Sequence, residues 1–140
     1  MKGNILIVEP EFIVAADLGM IVRKAGYAVS GVASSAEGAL KLLASNEPTL
    51  VLTDTKLYGK TTGIDLGVRL NELGIPFIYI SGNFAPKAVE EALATNPCGF
   101  IEKPFRENDV LKALSKLLLP GMANSNELDP CLLNRLMCGG

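Results

Sequence analysis

The sequence predicts a doubly wound α/β domain. Three observations carry this. Short apolar, β-branched runs alternate with helical segments five times; each run is followed by a helix; and the runs are continuously apolar instead of alternating. A helix between successive strands makes every connection a crossover, which requires parallel pairing. Continuous apolar strands require helices on both faces of the sheet.

The first strand is "NILIV", residues 4 to 8. A helix follows from about Phe12 to Ala25, with Phe12, Ile13, Ala16, Met20 and Val22 or the Lys24 stem expected to face the core. Gly26 closes it. "YAVSGVA", 27 to 33, is the second strand. Ser34-Ser35-Ala36-Glu37 has capping-box spacing, with Ser34 accepting from the first turn and Glu37 reaching back. The helix it opens carries Ala39, Leu40, Leu42 and Leu43 and ends near Asn46. "TLVLTD", 49 to 54, is the third strand, followed by the loop "TKLYGKTTG" and a helix from about Ile64 to Glu72 that stops at Gly74. "PFIYIS", 76 to 81, is the fourth strand, with a short helix from about Pro86 to Ala94. "GFIEK", 99 to 103, is the fifth, and Glu107 to Leu118 makes the last helix.

The domain is therefore expected over 1–119. Residues 120–140 stand apart: Pro120-Gly121 ends the domain and "ANSNE" reads as a linker. Asp129-Pro130 has the form of an N-cap and first helical residue, and Leu132, Leu133, Leu136 and Met137 form one apolar side of a short helix. Two readings of this segment stay open: a tail packing on its own domain, and a partner-binding helix or the stub of a further segment.

Composition narrows the function classes. With 140 residues, 49% hydrophobic and 20% charged, the chain suits one globular domain of ordinary core. A formal charge of −2 supplies no basic footprint for direct nucleic-acid binding. No apolar run approaches the roughly 20 residues needed to span a bilayer, and "MKGNILIVEP" has too short an apolar stretch for a signal peptide. A cytoplasmic location is expected, without membrane contact. The absence of histidine removes histidine triads, histidine phosphorylation and histidine metal ligands. Cys98, Cys131 and Cys138 are odd in number and lack CxxC spacing, so reduced thiols are expected, neither a zinc site nor a disulfide framework.

In an open α/β sheet, ligands gather at the carboxyl ends of the strands. Here the first strand delivers Glu9 and Glu11, the third Asp54, the fourth Ser81 and the fifth Lys103. Carboxylates, a hydroxyl and an ammonium converging on one edge suit a hard cation and a phosphoryl group. Oxygen ligands favour magnesium, and the lysine can pair with an added phosphate.

On "ILIVEPE", "LVLTD", "YISG" and "EKPF", in that order, the chain resembles the receiver domain of two-component response regulators over about Lys2 to Leu119. The resemblance implies a flavodoxin-like, five-stranded parallel sheet of order 2-1-3-4-5 with five helices, beside which the tail helix is additional. It also implies roles. Asp54 is the phosphoacceptor, attacking phosphorus directly as aspartyl-phosphate chemistry does. Magnesium and Lys103 offset the charge of transfer. Ser81 is the switch hydroxyl and Phe100 the switch aromatic, which lacks the hydroxyl of a tyrosine. Lys103-Pro104 matches a cis peptide. The Lys56 backbone carbonyl matches a metal ligand. Such a domain is a phosphoacceptor with self-catalysed transfer and slow hydrolysis only, not an enzyme in its own right. The implied partners are a histidine kinase or phosphotransfer protein and an output domain or effector. A homodimer through the face at about 86–118 is also implied.

Pro10 departs from the pattern. The family places an acidic pair where this chain has Glu9-Pro10, and the second acid is the direct magnesium ligand. Proline holds Glu9 extended and starts the next helix without wasting an N–H, but it carries no side-chain oxygen. Either Glu11, or Glu9 through water, covers the gap with weaker metal affinity, or the metal site is lost. In the second case the domain is a pseudo-receiver, a protein-interaction module. Tyr58 stands where the family often has proline, so the loop after Asp54 is expected to be more mobile. A flavodoxin-type electron carrier, a P-loop hydrolase and a dehalogenase-type phosphatase are set aside. The first lacks its phosphate loop, the second its GxxxxGK[ST], and the third its second aspartate, where Lys56 stands.

Overall fold

The computed structural model describes residues 3–118. Five strands, β1 (Asn4–Val8), β2 (Ala28–Ala33), β3 (Leu50–Asp54), β4 (Phe77–Ser81) and β5 (Gly99–Glu102), alternate with five helices. These are α1 (Phe12–Lys24), α2 (Ala36–Ser45), α3 (Gly63–Leu73), α4 (Pro86–Leu93) and α5 (Glu107–Leu118). All strand pairs are parallel and the sheet order is β2-β1-β3-β4-β5, as expected. The C-terminal helix expected from Asp129-Pro130 lies outside the described residues.

The pleat divides the apolar runs between two cores. On one face Ile5, Ile7, Leu50, Leu52, Ile78 and Ile80 pack with Leu18, Val22, Val110 and Leu114 of α1 and α5. On the other, Leu6, Val8, Val51, Phe77 and Tyr79 meet Ala36, Ala39, Leu66 and Leu70 of α2 and α3, and Ala92 of α4. β1, β3 and β4 are therefore buried on both sides, whereas β2, at the edge, is only half-buried.

Three local expectations are corrected. The buried stripe of α1 is Ala15, Leu18, Gly19, Ile21 and Val22; of the residues expected inside, only Val22 is, while Phe12 is 85% and Met20 64% exposed and Ile13 and Ala16 also face outward. Both sets follow the 3.6-residue period, and the packing on β1 selects the phase. The cap of α2 is Ser35, whose hydroxyl accepts from the Gly38 N–H at 3.0 Å. Glu37 does not reach back; its carboxylate is held below the usual range chiefly by a hydrogen bond with the Thr61 side chain. Cys98, expected as a reduced thiol, is disulfide-bonded; an odd count of three leaves room for one pair.

Helix α3 has the reciprocal capping box the sequence reading passed over: Thr62 Oγ1 accepts from the Asp65 N–H, and Asp65 Oδ2 from the Thr62 N–H, both at 3.1 Å. It ends on Gly74 in the left-handed region, φ 72°, where a side chain would be strained.

Candidate functional site

Three ionisable side chains meet at the carboxyl edge of the sheet because β1, β3 and β5 end in register there. Asp54 is the last residue of β3 and is buried; Glu9 follows β1 directly and is 2% exposed; Lys103 follows β5. The Lys103 Nζ lies 2.5 Å from Asp54 Oδ2, to which it donates, and 2.7 Å from Glu9 Oε1. The second oxygens are also held. Asp54 Oδ1 accepts from the Lys56 N–H and Glu9 Oε2 from the Glu11 N–H, each at 2.9 Å. The peptide Lys103-Pro104 is cis, as the resemblance implied.

The electrostatics follow from burial. Desolvation pushes the Glu9 carboxyl above its ordinary range; the bonds to Lys103 and the Glu11 N–H oppose this, and the Asp54 charge adds to it. For Lys103 desolvation works to lower the value, but the two carboxylates together outweigh it and the ammonium is held above its usual range. One cation thus faces two carboxylates. Glu9 Oε1, on a fully buried side chain, faces the Lys103 ammonium at 2.7 Å. Two neighbouring buried carboxylates, here sharing one ammonium, are oxygen donors of the kind that a hard cation takes.

Other predicted residues take different places. The Glu11 side chain is exposed, and among the described residues no three acidic, cysteine or histidine side chains are grouped to hold a metal. Pro10 supplies only backbone. The Lys56 side chain is exposed, while its N–H fixes the Asp54 carboxylate. Ser81 is buried, and its hydroxyl accepts from Thr55 Oγ1 and from the Asn83 N–H, both at 3.0 Å. It is turned into its own turn and towards Thr55. Phe100, half-buried, lies with its ring centroid 5.8 Å from Tyr79 and 6.4 Å from Phe84. Ser81, Phe84 and Phe100 line a cavity of about 320 Å³ between the loops after β3 and β4 and helix α4.

Two features escaped the sequence reading. Thr55 bridges the Asp54 loop to Ser81; a hydroxyl next to the strand-end acid was its only signal. The loop after Asp54, expected to be mobile, is tied to the start of α2. Tyr58 donates its N–H to the Ser34 carbonyl at 3.3 Å, Ser35 and Tyr58 form an isolated bridge, and Glu37 bonds Thr61. Backbone pairing replaces the stiffness that proline would have supplied. Gly63, whose Cβ would strike the Asp54 carbonyl, closes the loop against the strand end.

Comparison with known proteins agrees with this geometry. The family model of the response regulator receiver domain matches residues 5–115. The phyllosphere-induced regulator PhyR of Methylorubrum extorquens is 32% identical over 120 residues, covering 84% of this chain and 44% of that protein. The transcriptional regulatory protein PdtaR of Mycobacterium tuberculosis is 29% identical over 112 residues, covering 79% of this chain and 54% of its own. The chain thus spans about half the length of these relatives. The crystal structure of the NtrX receiver domain from Brucella abortus superposes with a TM-score of 0.76 at 25% identity, over 83% of this chain and 98% of that one. With strand order, strand-end acids, cis Lys103-Pro104 and family match in agreement, the chain belongs to the response regulator receiver domain family.

Proposed function

We propose that this domain is a phosphorylation-controlled switch in which Asp54 accepts a phosphoryl group from a histidine kinase or phosphotransfer protein. The observation that carries the reading is the buried Asp54 carboxylate, oriented by the Lys56 N–H and paired with Lys103 beside Glu9. One Asp54 oxygen attacks phosphorus while the donor's leaving group departs with its electron pair. Lys103 then moves its charge from the carboxylate to the new phosphoryl oxygens, where it is worth more in the dry strand-end site. The Ser81 hydroxyl, 3.0 Å from Thr55 Oγ1, turns from its own loop to a phosphoryl oxygen, and Phe100 has the cavity behind it to move into. The output face is α4, β5 and α5, about 86–118. It meets an effector, an output domain or a second copy.

Magnesium, when bound, offsets the charge that builds on the transferring group. Asp54 and Glu9 would hold it with the Lys56 carbonyl, and Glu11, exposed here, would have to turn inward to join them. The domain transfers to itself and hydrolyses slowly, so it acts as a signalling domain and not on an external substrate. A cytoplasmic location is proposed from the receiver-domain family match; among the described residues no helix is long and apolar enough to cross a membrane.

Pro10 supports a second reading. Without an acid there, and with Lys103 already shared by Glu9 and Asp54, the domain is a pseudo-receiver that binds partners unphosphorylated. Intact mass after incubation with acetyl phosphate across a magnesium titration separates the two. A single phosphoryl gain that needs magnesium and is lost in Asp54→Asn is expected. No gain in the natural protein but a gain in Pro10→Asp would establish the second reading.

A further inference from the structure

The hydroxyl of Ser81, a residue only 3% exposed, is fully committed in this structure. It accepts from the Thr55 hydroxyl and from the Asn83 N–H, both at 3.0 Å, and donates to the Asn83 carbonyl at 3.3 Å. A hydroxyl has one proton and two lone pairs, so its capacity is used up. None of these bonds goes to Asp54. The two with Asn83 lie within the turn that Ser81 itself opens, whereas the Thr55 bond ties Ser81 to the residue next to Asp54.

We propose that Thr55 is a positioning residue for the switch: its hydroxyl latches Ser81 in the orientation of the unphosphorylated state and so sets how strongly the domain resists switching. This rests on the phosphorylation reading and deepens it. The latch is rigid, because Thr55 is held on both sides and cannot follow Ser81. Its N–H donates to the Ile80 carbonyl at 3.3 Å, and its carbonyl accepts from the Gly63 N–H at 3.0 Å. Gly63 packs so closely that a Cβ there would come within 2.7 Å of the Thr55 Cα. Branching at Cβ adds to this by restricting the side chain to few rotamers, so the hydroxyl is presented in a nearly fixed direction.

Turning Ser81 to a phosphoryl oxygen on Asp54 therefore breaks the Thr55 bond. The Thr55 hydroxyl is left in the cavity of about 320 Å³ that it lines with Ser81, Phe84 and Phe100, where water takes the place of the lost acceptor. After that exchange, one hydrogen bond is worth about fivefold in an equilibrium constant. Only the unswitched state makes this bond. Removing it should shift the equilibrium towards the switched state and tighten any ligand that prefers that state. Damage to the site would act with the opposite sign.

Calorimetric titration of the full chain with beryllium, at fixed fluoride and magnesium, tests this, beryllium trifluoride standing for the phosphoryl group on Asp54. Thr55→Val should bind about fivefold tighter than the natural chain. Thr55→Ser keeps the hydroxyl and should bind as the natural chain does, while Thr55→Ala, which guards against a misfit of valine, should match Thr55→Val. Urea unfolding without metal or fluoride gives an independent readout. Thr55→Val should lower the folding constant about fivefold in the natural background, and leave it unlowered where Ser81→Ala has removed the partner. Unchanged or weaker binding by Thr55→Val, tighter binding by Thr55→Ser, or an equal urea cost in both backgrounds would each overturn the latch and leave the phosphorylation reading standing. If the natural chain takes up no beryllium fluoride, the same variants are compared in Pro10→Asp; no uptake there either would overturn the phosphorylation reading and the latch with it.

Discussion

The proposed magnesium site turns on position 10. Proline there brings no side-chain oxygen to the Glu9 and Asp54 carboxylates, which share the Lys103 ammonium. Pro10→Asp should therefore lower the half-saturating magnesium concentration for Asp54 phosphorylation by about tenfold, the lower end of what reshaping a metal site does; the acetyl phosphate titration measures it. Glu9 makes a second prediction. Its folded-state pKa is raised, by burial first, above an unfolded value near 4.5. The stability this group contributes is thus full below pH 4.5 and is lost as pH rises through the folded value. Lys103, raised above 10.5, contributes fully below 10.5 and loses its share only as pH rises through its folded value, so it is constant across that window. Glu9→Gln should then melt at a temperature closer to the natural protein at pH 4.5 than at pH 7, where the variant gains. Parallel melting curves of the two proteins across pH 4.5 to 7 would refute it.

At the scale of elements, the local errors of sequence reading become measurements. Ser34 and Ser35 both have the side chain for an N-cap, and only the backbone angles, φ −138° and ψ 161° at Ser35, decide between them. Ser35→Ala should cost about 1 kcal/mol and Ser34→Ala should stay within about 0.5 kcal/mol, both read from urea midpoints. The phase of α1 is tested in the same way. Leu18→Ala should cost about 2–5 kcal/mol, whereas Met20→Ala on the exposed stripe should change stability by no more than about 0.5 kcal/mol. Two apolar stripes coexist on α1, and periodicity weighs them equally. The choice belongs to β1 and α5, which bury one of them.

Across the whole molecule, β4 connects the site with a contact at the end of α4. β4 carries Ser81 at its end and Tyr79 within it, and the Tyr79 hydroxyl lies 2.7 Å from Thr95 Oγ1, just past the C-terminal end of α4. Burial pushes the Tyr79 phenol up to about 12, so this contact stays uncharged through the physiological range. Helix α4 is thereby pinned at one end, while its start lies beside the cavity that Phe84 and Phe100 line. Phosphorylation should accordingly change hydrogen exchange in 84–93 and 99–102 and leave α1 and β2 unchanged, as peptide-resolved exchange with and without a phosphodonor would report. A uniform change, or none in α4, would contradict a switch centred on Ser81 and Phe100.

Much of this architecture lies in local pattern alone. Five apolar runs with intervening helical stretches imply the parallel, two-faced sheet, because crossovers and double burial are properties of chain connectivity and side-chain polarity. Strand-end positions of Asp54, Ser81 and Lys103 were legible for the same reason, and so was the missing oxygen at Pro10. What only the tertiary structure decided are relations between segments far apart in sequence. Lys103 is shared between Glu9 and Asp54, Thr55 holds Ser81, and Glu37 and Ser34 tie down the loop that a lost proline was expected to loosen. Each depends on distances of a few ångströms between residues brought together by packing, and a pattern read along the chain carries no such distance.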